Sequence, residues 1–426
     1  MNVLYIIPRM TYGGGMSNIL VEVKGIRELT ANFRATVVAM ESDLSTEMMV
    51  KAIRIGLKVM LSPSDLILRK LIERADLTVV QYWNCPSMFR FFRFLADSQV
   101  YHRLCVSVRV NGGTLPQVVP DWVNASCDAL IHIHPRTPSD GMRPGVEKTT
   151  IPCLVNLPDA PAPPPVSDFS TFRIFHAGTL NHFKAHPQMI ALHEGLQIPN
   201  YAFDIWGAGM DQSFAEDLKG AAHANYKGFS SNIYADMAPY HLLCNPQTEL
   251  SYGSFDKIMT ESQWMGKPVV VLKNSYIADH ILHDTNGIVA EDEYAYRACL
   301  EELAADPARY KLLSENTLEY TRIHYQLTDY VKETFELYQR TIQMPLKNLI
   351  ATDIPKTPED AAIDGFGKWK TMLLENPKTL PIIEINYALR CEGGLIQFYK
   401  SYPENLALQT HITNLRDAEQ SLLHEN

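Results

Sequence analysis

Short apolar runs alternate with longer helical patterns along most of this chain. The runs are rich in β-branched side chains, and strands that alternate with helices form a parallel sheet covered on both faces. The alternation therefore predicts an α/β fold. We expect strands at residues 3–7, 35–40, 77–81, 104–110 and 129–134, and again at residues 172–177, 203–206, 240–245, 269–272 and 288–290.

Two doubly wound domains are expected, because 426 residues exceed one ordinary hydrophobic core. A proline-rich stretch at residues 159–170 can continue neither a helix nor a strand. We predict that it links an N-terminal domain at residues 1–158 to a C-terminal domain at residues 171–330. Ligands of such sheets bind at the carboxyl ends of the strands.

The end of the chain follows a different pattern. A helix at residues 331–344 is predicted to close the core of the C-terminal domain. Residues 345–426 are rich in turns, and we expect one helix and one strand, at residues 381–385, in an appended region of unassigned role. This region is also predicted to mediate homo-oligomer contacts.

Composition excludes several classes of protein. A net charge of −10 disfavours a nucleic-acid surface, and seven scattered cysteines without a Cys-x-x-Cys pair predict neither a disulfide framework nor a zinc site. A reducing cytoplasm fits best. The segment MFRFFRFL at residues 88–95 has two interpretations, a helix in peripheral contact with a membrane or a buried helix whose arginines reach the surface.

Two segments suit a phosphate-bearing ligand. Residues 251–272 place glycine and serine before a helix start, where free N–H groups and the helix dipole stabilise an anion; Lys257 and Glu261 share one face of that helix. Gly13, Gly14 and Gly15 follow the first strand, as a tight turn or as a loop whose backbone approaches a ligand. A dinucleotide fingerprint is absent, which disfavours a nicotinamide enzyme.

Taken in order, four segments resemble motifs of the retaining GT-B glycosyltransferases of family 4. TYGGGMSNIL resembles the Gly-rich loop of the family, FHAGTLNHFKAH its G-R-L-x-x-x-K-G segment, and FDIWGAG the strand and turn beside the nucleotide base. NPQTELSYGSFDKIMTESQWMGKPVVV resembles the E-x7-E region. The resemblance covers residues 1–345 and implies two Rossmann-like domains facing across a cleft, followed by a C-terminal extension.

The resemblance also implies residue roles. Lys184 occupies the position of the lysine that grips the donor diphosphate, and Glu261 that of the glutamate that holds the ribose hydroxyls. The chain departs from the family at Thr179, where arginine is usual, and at Gly253, where the first glutamate of the pair is missing. Predicted catalytic residues are Lys184, Glu261, Arg109 and Asn111; predicted donor-binding residues are Gly14, Gly15, Thr179, Gly207, Ser254, Asp256 and Lys257.

The loop at residues 109–113 and the histidines each have competing interpretations. Arg109 and Asn111 follow a strand near the place where family members have a histidine close to the donor sugar, but Asn111 also suits a β-turn. The histidines, among them His132, His134 and His176, show no spacing of three metal ligands. Because enzymes of this kind generally need no metal, no cofactor is predicted.

The expected function is transfer of a sugar, with retention, from a nucleoside-diphosphate sugar to a glycan, lipid-linked or other acceptor in glycan or polysaccharide biosynthesis. The protein is expected in the cytoplasm, peripherally at the inner face of the membrane. The alternative is a catalytically inactive GT-B protein that binds nucleotides or glycans or serves in an assembly. Thr179, Gly253 and the unassigned C-terminal region favour that alternative.

Overall fold

The computed structural model describes residues 1–11, 13–158, 163–349 and 354–425. The chain forms two compact units, one of Met1–Leu154 with Thr328–Asn426 and one of Val155–Leu327. Residues 159–162 of the predicted linker lie outside the described residues. No helix in the described ranges is long and apolar enough to cross a bilayer.

The first unit contains a seven-stranded sheet in the order β3-β2-β1-β4-β5-β6-β7, and every neighbouring pair is parallel. Strand order reverses between β1 and β4, as in doubly wound folds. The strands are β1 (Asn2–Ile7), β2 (Arg34–Ala39), β3 (Lys58–Leu61), β4 (Leu77–Tyr82), β5 (Leu104–Val108), β6 (Ala129–His132) and β7 (Glu147–Thr150).

Helices cross over between these strands, because parallel neighbours cannot be joined by a tight turn. Their apolar faces cover the sheet, with Ile19, Val23 and Ile26 of α1 fully buried. The helices are α1 (Gly14–Leu29), α2 (Thr46–Arg54), α3 (Asp65–Arg74), α4 (Pro86–Ser98) and α5 (Asp121–Ser126).

The second unit contains a six-stranded parallel sheet in the order β10-β9-β8-β11-β12-β13, which reverses between β8 and β11. The strands are β8 (Phe172–Thr179), β9 (Tyr201–Ala208), β10 (Ala224–Gly228), β11 (Leu242–Cys244), β12 (Val269–Leu272) and β13 (Gly287–Ala290). The helices are α6 (Met189–His193), α7 (Gln212–Lys219), α8 (Ile233–Met237), α9 (Lys257–Trp264), α10 (Glu293–Ala305) and α11 (Pro307–His324).

The chain then returns to the first unit through α12 (Leu327–Thr341). The hydroxyl of Tyr338 on α12 donates to the buried carboxylate of Glu22 on α1 over 2.7 Å, and Phe335 packs edge-on against Phe33. The helix predicted to close the C-terminal core thus packs on the N-terminal sheet domain. The sequence could not indicate this, because an amphipathic face does not specify which core it covers.

The C-terminal region is helical and belongs to the first unit. The strand expected at residues 381–385 is wrong: these residues open a helix whose buried face includes Ile385, Ala388 and Leu389 at helical spacing. The helices are α13 (Pro358–Asp364), α14 (Lys370–Glu375), α15 (Ile382–Arg390), α16 (Leu395–Ser401) and α17 (Leu406–Glu425).

The C-terminal region covers part of α4, the helix that carries the aromatic and arginine-rich segment. Phe91 and Phe92 are fully buried, and Phe89 meets Tyr402 edge-on with 6.1 Å between ring centres. Arg90 donates to the carbonyl of Met40. These contacts are those of the buried-helix interpretation; peripheral membrane contact stays a prediction.

Candidate functional site

A lysine–aspartate pair lies at the point where strand order reverses in the six-stranded sheet. Lys184 follows β8, and its Nζ is 2.8 Å from Oδ1 of Asp256, the residue that precedes the first turn of α9. The Lys184 side chain is 20% exposed and that of Asp256 is 10% exposed. Two residues predicted for the site are therefore in direct contact, and each neutralises the other.

Asp256 is held by neutral donors as well. Its Oδ2 accepts hydrogen bonds from Nδ2 of Asn245 at 3.0 Å and Nε2 of Gln247 at 2.7 Å, both just beyond β11. Burial acts to raise the pKa of Asp256, but the charge of Lys184 and the hydrogen bonds from Lys184 and Asn245 outweigh it and lower that pKa. Asp256 is thus an anion in the folded protein at neutral pH.

The loop before α9 is tied to the same network. Ser251 Oγ lies 3.1 Å from the carbonyl oxygen of Lys184 and 2.9 Å from Oε1 of Gln247, and its single O–H can donate to either acceptor. A Cβ at Gly253 would lie 2.5 Å from Oε1 of Gln247. A larger residue at this position, where the resemblance implies a glutamate, would therefore have to displace the side chain of Gln247.

This contact predicts the effect of Gly253→Ala. The added methyl group must displace Gln247, which would weaken its hydrogen bond to Asp256 and lower the free energy of unfolding by about 1–3 kcal/mol. Thermal and denaturant unfolding measure the change. Gly220→Ala is the matched control, since a Cβ there meets nothing within 4 Å. Equal stability of the two variants would contradict the packing role.

Acid pH provides a second test of the network. A lowered pKa contributes stability above the unfolded-state value of 3.8, and that contribution is lost as pH falls through the folded-state pKa. We expect the thermal midpoint of the wild type to fall more steeply below about pH 4 than that of Asp256→Asn. Scanning fluorimetry across acid buffers measures both curves, and parallel curves would contradict the assignment.

Glu261 lies one turn along α9 from Lys257. Its side chain is half-buried, and burial raises its pKa although the charge of Lys257 acts to lower it. No hydrogen-bond donor reaches its carboxylate in the described ranges. Burial, and to a smaller extent the charge of Glu261, raise the pKa of the Tyr234 phenol. A half-buried carboxylate without a donor is placed to accept hydrogen bonds from a ligand.

The remaining predicted donor-binding residues of this unit lie on β8, β9 and the loop before α9. Thr179 is the last residue of β8, and Gly207 on β9 pairs with Gly178 on β8. A Cβ at Gly207 would lie 2.0 Å from the carbonyl oxygen of Gly178, so close strand approach explains this glycine without a ligand. Ser254 is buried, and its carbonyl accepts a hydrogen bond from His280 over 2.8 Å.

The predicted residues of the first unit fall in two places. Gly14 and Gly15 are the first residues of α1, and a Cβ at Gly14 would meet nothing within 4 Å. Arg109 follows β5 and donates from Nε to Oε1 of Gln81, while its buried Nη1 has no acceptor among the residues that the structure describes. Their roles toward a ligand stay predictions.

Asn111 shows the turn geometry that was the competing interpretation. Its Oδ1 accepts from the amide of Gly113 at 2.9 Å and from the hydroxyl of Thr114 at 3.1 Å. Gly112 has φ +72°, which favours glycine. The side chain is fully buried and stabilises this turn.

Sequence reasoning missed Asn245, Gln247 and His176 as members of the site. His176 on β8 is buried, and burial is the main cause that lowers its pKa to about 4. The charges of Lys184 and Asp256 also act on this imidazole. Its position on a strand beside the reversal of strand order was the available signal. Within the described part of the chain, no group of three or more His, Cys, Asp or Glu side chains is arranged to hold a metal ion.

No known protein family matches this chain, and no curated protein matches its sequence. Solved structures match its fold. HepE of Anabaena, in complex with UDP-glucose, is 15% identical with a TM-score of 0.66, covering 80% of this chain and 100% of that chain. Sucrose-phosphate synthase of Thermosynechococcus elongatus is 13% identical with a TM-score of 0.59, covering 80% and 100% respectively.

A third match is a TarM mutant of S. aureus in complex with fondaparinux, α-GlcNAc-glycerol and UDP. It is 11% identical with a TM-score of 0.61, covering 79% of this chain and 100% of that chain. These neighbours are GT-B glycosyltransferases, and the two parallel sheets of seven and six strands agree with them. The predicted GT-B fold is confirmed.

Proposed function

We propose that this protein is a retaining glycosyltransferase of the family 4 type, which moves a sugar from a nucleoside-diphosphate sugar to a glycan or other acceptor. The observation that carries the proposal is the Lys184–Asp256 pair at the start of α9, in a chain with the GT-B fold. It puts an ammonium group, a helix N-terminus and a reversal of strand order at one place.

The charges define what this place can bind. Lys184, Asp256, Lys257 and Glu261 sum to zero, so the positive end of the α9 dipole and a rearranged Lys184 supply the attraction for a diphosphate. Lys184 would leave Asp256 or bridge to a phosphate oxygen, while Asn245 and Gln247 continue to hold the aspartate. The ion pair with Asp256 thereby positions Lys184 before a donor binds.

In the proposed reaction the protein mainly positions the donor and the acceptor and neutralises the charge of the diphosphate. Lys184 and the amides at the start of α9 stabilise negative charge as the bond between the sugar and the diphosphate breaks. Glu261 accepts hydrogen bonds from the ribose hydroxyls. The acceptor oxygen bonds to the anomeric carbon as the bond to the diphosphate breaks, and the departing phosphate takes the proton of the acceptor hydroxyl. No protein general base is therefore needed, and no protein nucleophile is assigned.

A donor screen tests the proposal. The full chain is incubated with UDP-, GDP-, ADP- and CMP-sugars, and release of free sugar is followed by NMR, which also reports the anomer formed first. We expect one nucleotide class to be hydrolysed with retention. UDP-glucose is the first donor to try, because HepE, with which the chain shares its fold, was solved with it. Inversion would overturn the mechanism, and no turnover of any donor would overturn the enzyme assignment.

The second candidate is a GT-B protein that binds a nucleotide or glycan without catalysis. Two observations favour it: Lys184 already has an anionic partner, and Gln247 lies where the side chain of a glutamate at position 253 would begin. Calorimetry with UDP, GDP, ADP and CMP separates the candidates. Selective binding heat together with no hydrolysis supports the second candidate, whereas hydrolysis of any donor contradicts it.

Location and pathway extend the proposal. We propose a cytoplasmic enzyme of glycan or polysaccharide biosynthesis, peripheral at the inner face of a membrane, with a glycan or lipid-linked acceptor. Support comes from the neighbours: TarM was solved with a glycosylated glycerol, and another GT-B neighbour is the lipopolysaccharide outer core galactosyltransferase WaaB. Fractionation of cells that express the tagged chain tests the location.

A further inference from the structure

The C-terminal region reaches the carboxyl edge of the seven-stranded sheet. Its turn at residues 391–394, between α15 and α16, places Glu392 against residues that follow β1 and β4. Oε1 of Glu392 accepts hydrogen bonds from the guanidinium of Arg9 and from Nε1 of Trp83, the latter at 3.2 Å. Strand order reverses between β1 and β4, which is where doubly wound sheets bind ligands.

The turn is built into the sheet edge. Nε2 of Gln117 donates to the carbonyl of Glu392 over 2.5 Å, and the amide of Gly393 donates to Oε1 of Gln397 over 2.6 Å. Gly393 has φ +85°, and a Cβ there would lie 2.6 Å from the carbonyl oxygen of Asn84. Only glycine suits this backbone, so the position of Glu392 is set by the fold.

The group stays open to a ligand. The side chains of Arg9 and Glu392 are 28% and 30% exposed, and Trp83 is half-buried. The six-membered ring of Trp83 lies beside the Gly-rich loop, because a Cβ at Gly15 would be 3.4 Å from its Cζ3. Cβ atoms at Gly13 and Gly14 would meet no atom of the described residues within 4 Å, so the backbone at these two positions is uncovered by them.

Charge selects the kind of ligand. Burial acts to lower the pKa of Arg9, but the carboxylates of Glu392, Glu41 and Asp43 outweigh it and raise that pKa. A guanidinium that is paired with Glu392 and also experiences the negative charge of Glu41 and Asp43 disfavours an anionic ligand. A carboxylate, a guanidinium and an indole face together suit neutral hydroxyl groups on an apolar ring.

We propose that Glu392, Arg9 and Trp83 form a subsite for a neutral sugar of the acceptor, supplied in part by the C-terminal region. The proposal rests on the proposed function, because it concerns the acceptor of that reaction. The sugar hydroxyls donate to Glu392 and accept from Arg9, while the ring packs on Trp83. The C-terminal region is then a determinant of acceptor specificity.

Saturation-transfer NMR tests the subsite on the full chain. The probes are neutral mono- and disaccharides at millimolar concentration, with glucose, galactose, N-acetylglucosamine and maltose as the first set. We expect at least one sugar to receive saturation from the wild type. Glu392→Gln should weaken the binding of that sugar about tenfold, because a hydrogen bond to a charged acceptor is lost. Trp83→Phe should weaken it less, since it keeps a ring.

The control is Glu375→Gln, an exposed acid of the same region that lies away from the turn. Thermal unfolding shows whether each variant folds, and calorimetry with UDP is run alongside. Absence of UDP heat from the wild type would overturn the nucleotide site and leave the sugar result to stand alone. The subsite would be overturned if no sugar received saturation from the wild type, or if folded Glu392→Gln gave equal saturation. Glu392 would then only hold Arg9 and Trp83 in place.

Discussion

Donor hydrolysis by Lys184→Ala is expected to be about 100-fold slower than that of the wild type. The lysine lies at the reversal of strand order in the six-stranded sheet and is paired with Asp256, and in the proposed reaction it is the cation that stabilises the leaving diphosphate. Removing it leaves negative charge uncompensated as the glycosidic bond breaks. Initial rates with the donor selected by the screen measure the loss, and Lys184→Arg should retain part of the rate because it keeps the charge.

A folding defect must be separated from this effect. Lys184→Ala leaves Asp256 buried without its cation, and breaking such a pair is destabilising by about 3–5 kcal/mol. The double variant Lys184→Ala/Asp256→Asn removes both charges while an amide oxygen still accepts from Asn245 and Gln247. We expect it to recover stability and remain slow. Lys219→Ala, at an exposed lysine of α7, is the control. Full activity of the folded double variant would contradict the role of Lys184.

Glu22→Ala is expected to lower the free energy of unfolding by about 3 kcal/mol. Oε1 of Glu22 accepts from the hydroxyls of Tyr5 at 2.6 Å and Tyr338 at 2.7 Å, and all three side chains are buried. The alanine leaves two phenols without an acceptor and creates a cavity. Urea unfolding measures the change.

Three comparisons sharpen this result. Glu22→Gln keeps an acceptor oxygen and should lose less stability than the alanine variant. Tyr338→Phe removes only the contact from α12 and should also lose less. Glu28→Ala changes an exposed acid of the same helix and should be nearly neutral. If Glu22→Ala and Glu28→Ala have the same free energy of unfolding in urea, the buried cluster does not anchor α12 to the first unit.

Apolar runs were sufficient to predict the interior strands, because a strand buried on both faces must be apolar throughout. The same criterion missed β3, β7 and β10, each at an edge of its sheet: β7 and β10 are rich in polar residues, and the apolar run of β3 is only three residues long. Edge strands are held by one neighbour and face solvent, so they need no continuous apolar run. The predicted strand at residues 381–385 failed for the opposite reason: a short apolar run also suits a buried helix.

Spacing along the chain placed Lys184, Asp256 and Glu261 in loops and a helix start at the end of strands, since the alternation of elements is a local property. It could not show that Lys184 and Asp256 are 2.8 Å apart, that Gly207 lies against the backbone of Gly178, or that α12 and the turn at residues 391–394 join the first unit. Periodicity reports which face of an element is buried, whereas contacts between residues distant in sequence depend on which surfaces fit together. Charge pairing and close backbone approach are of that second kind, and they decide what the site can bind.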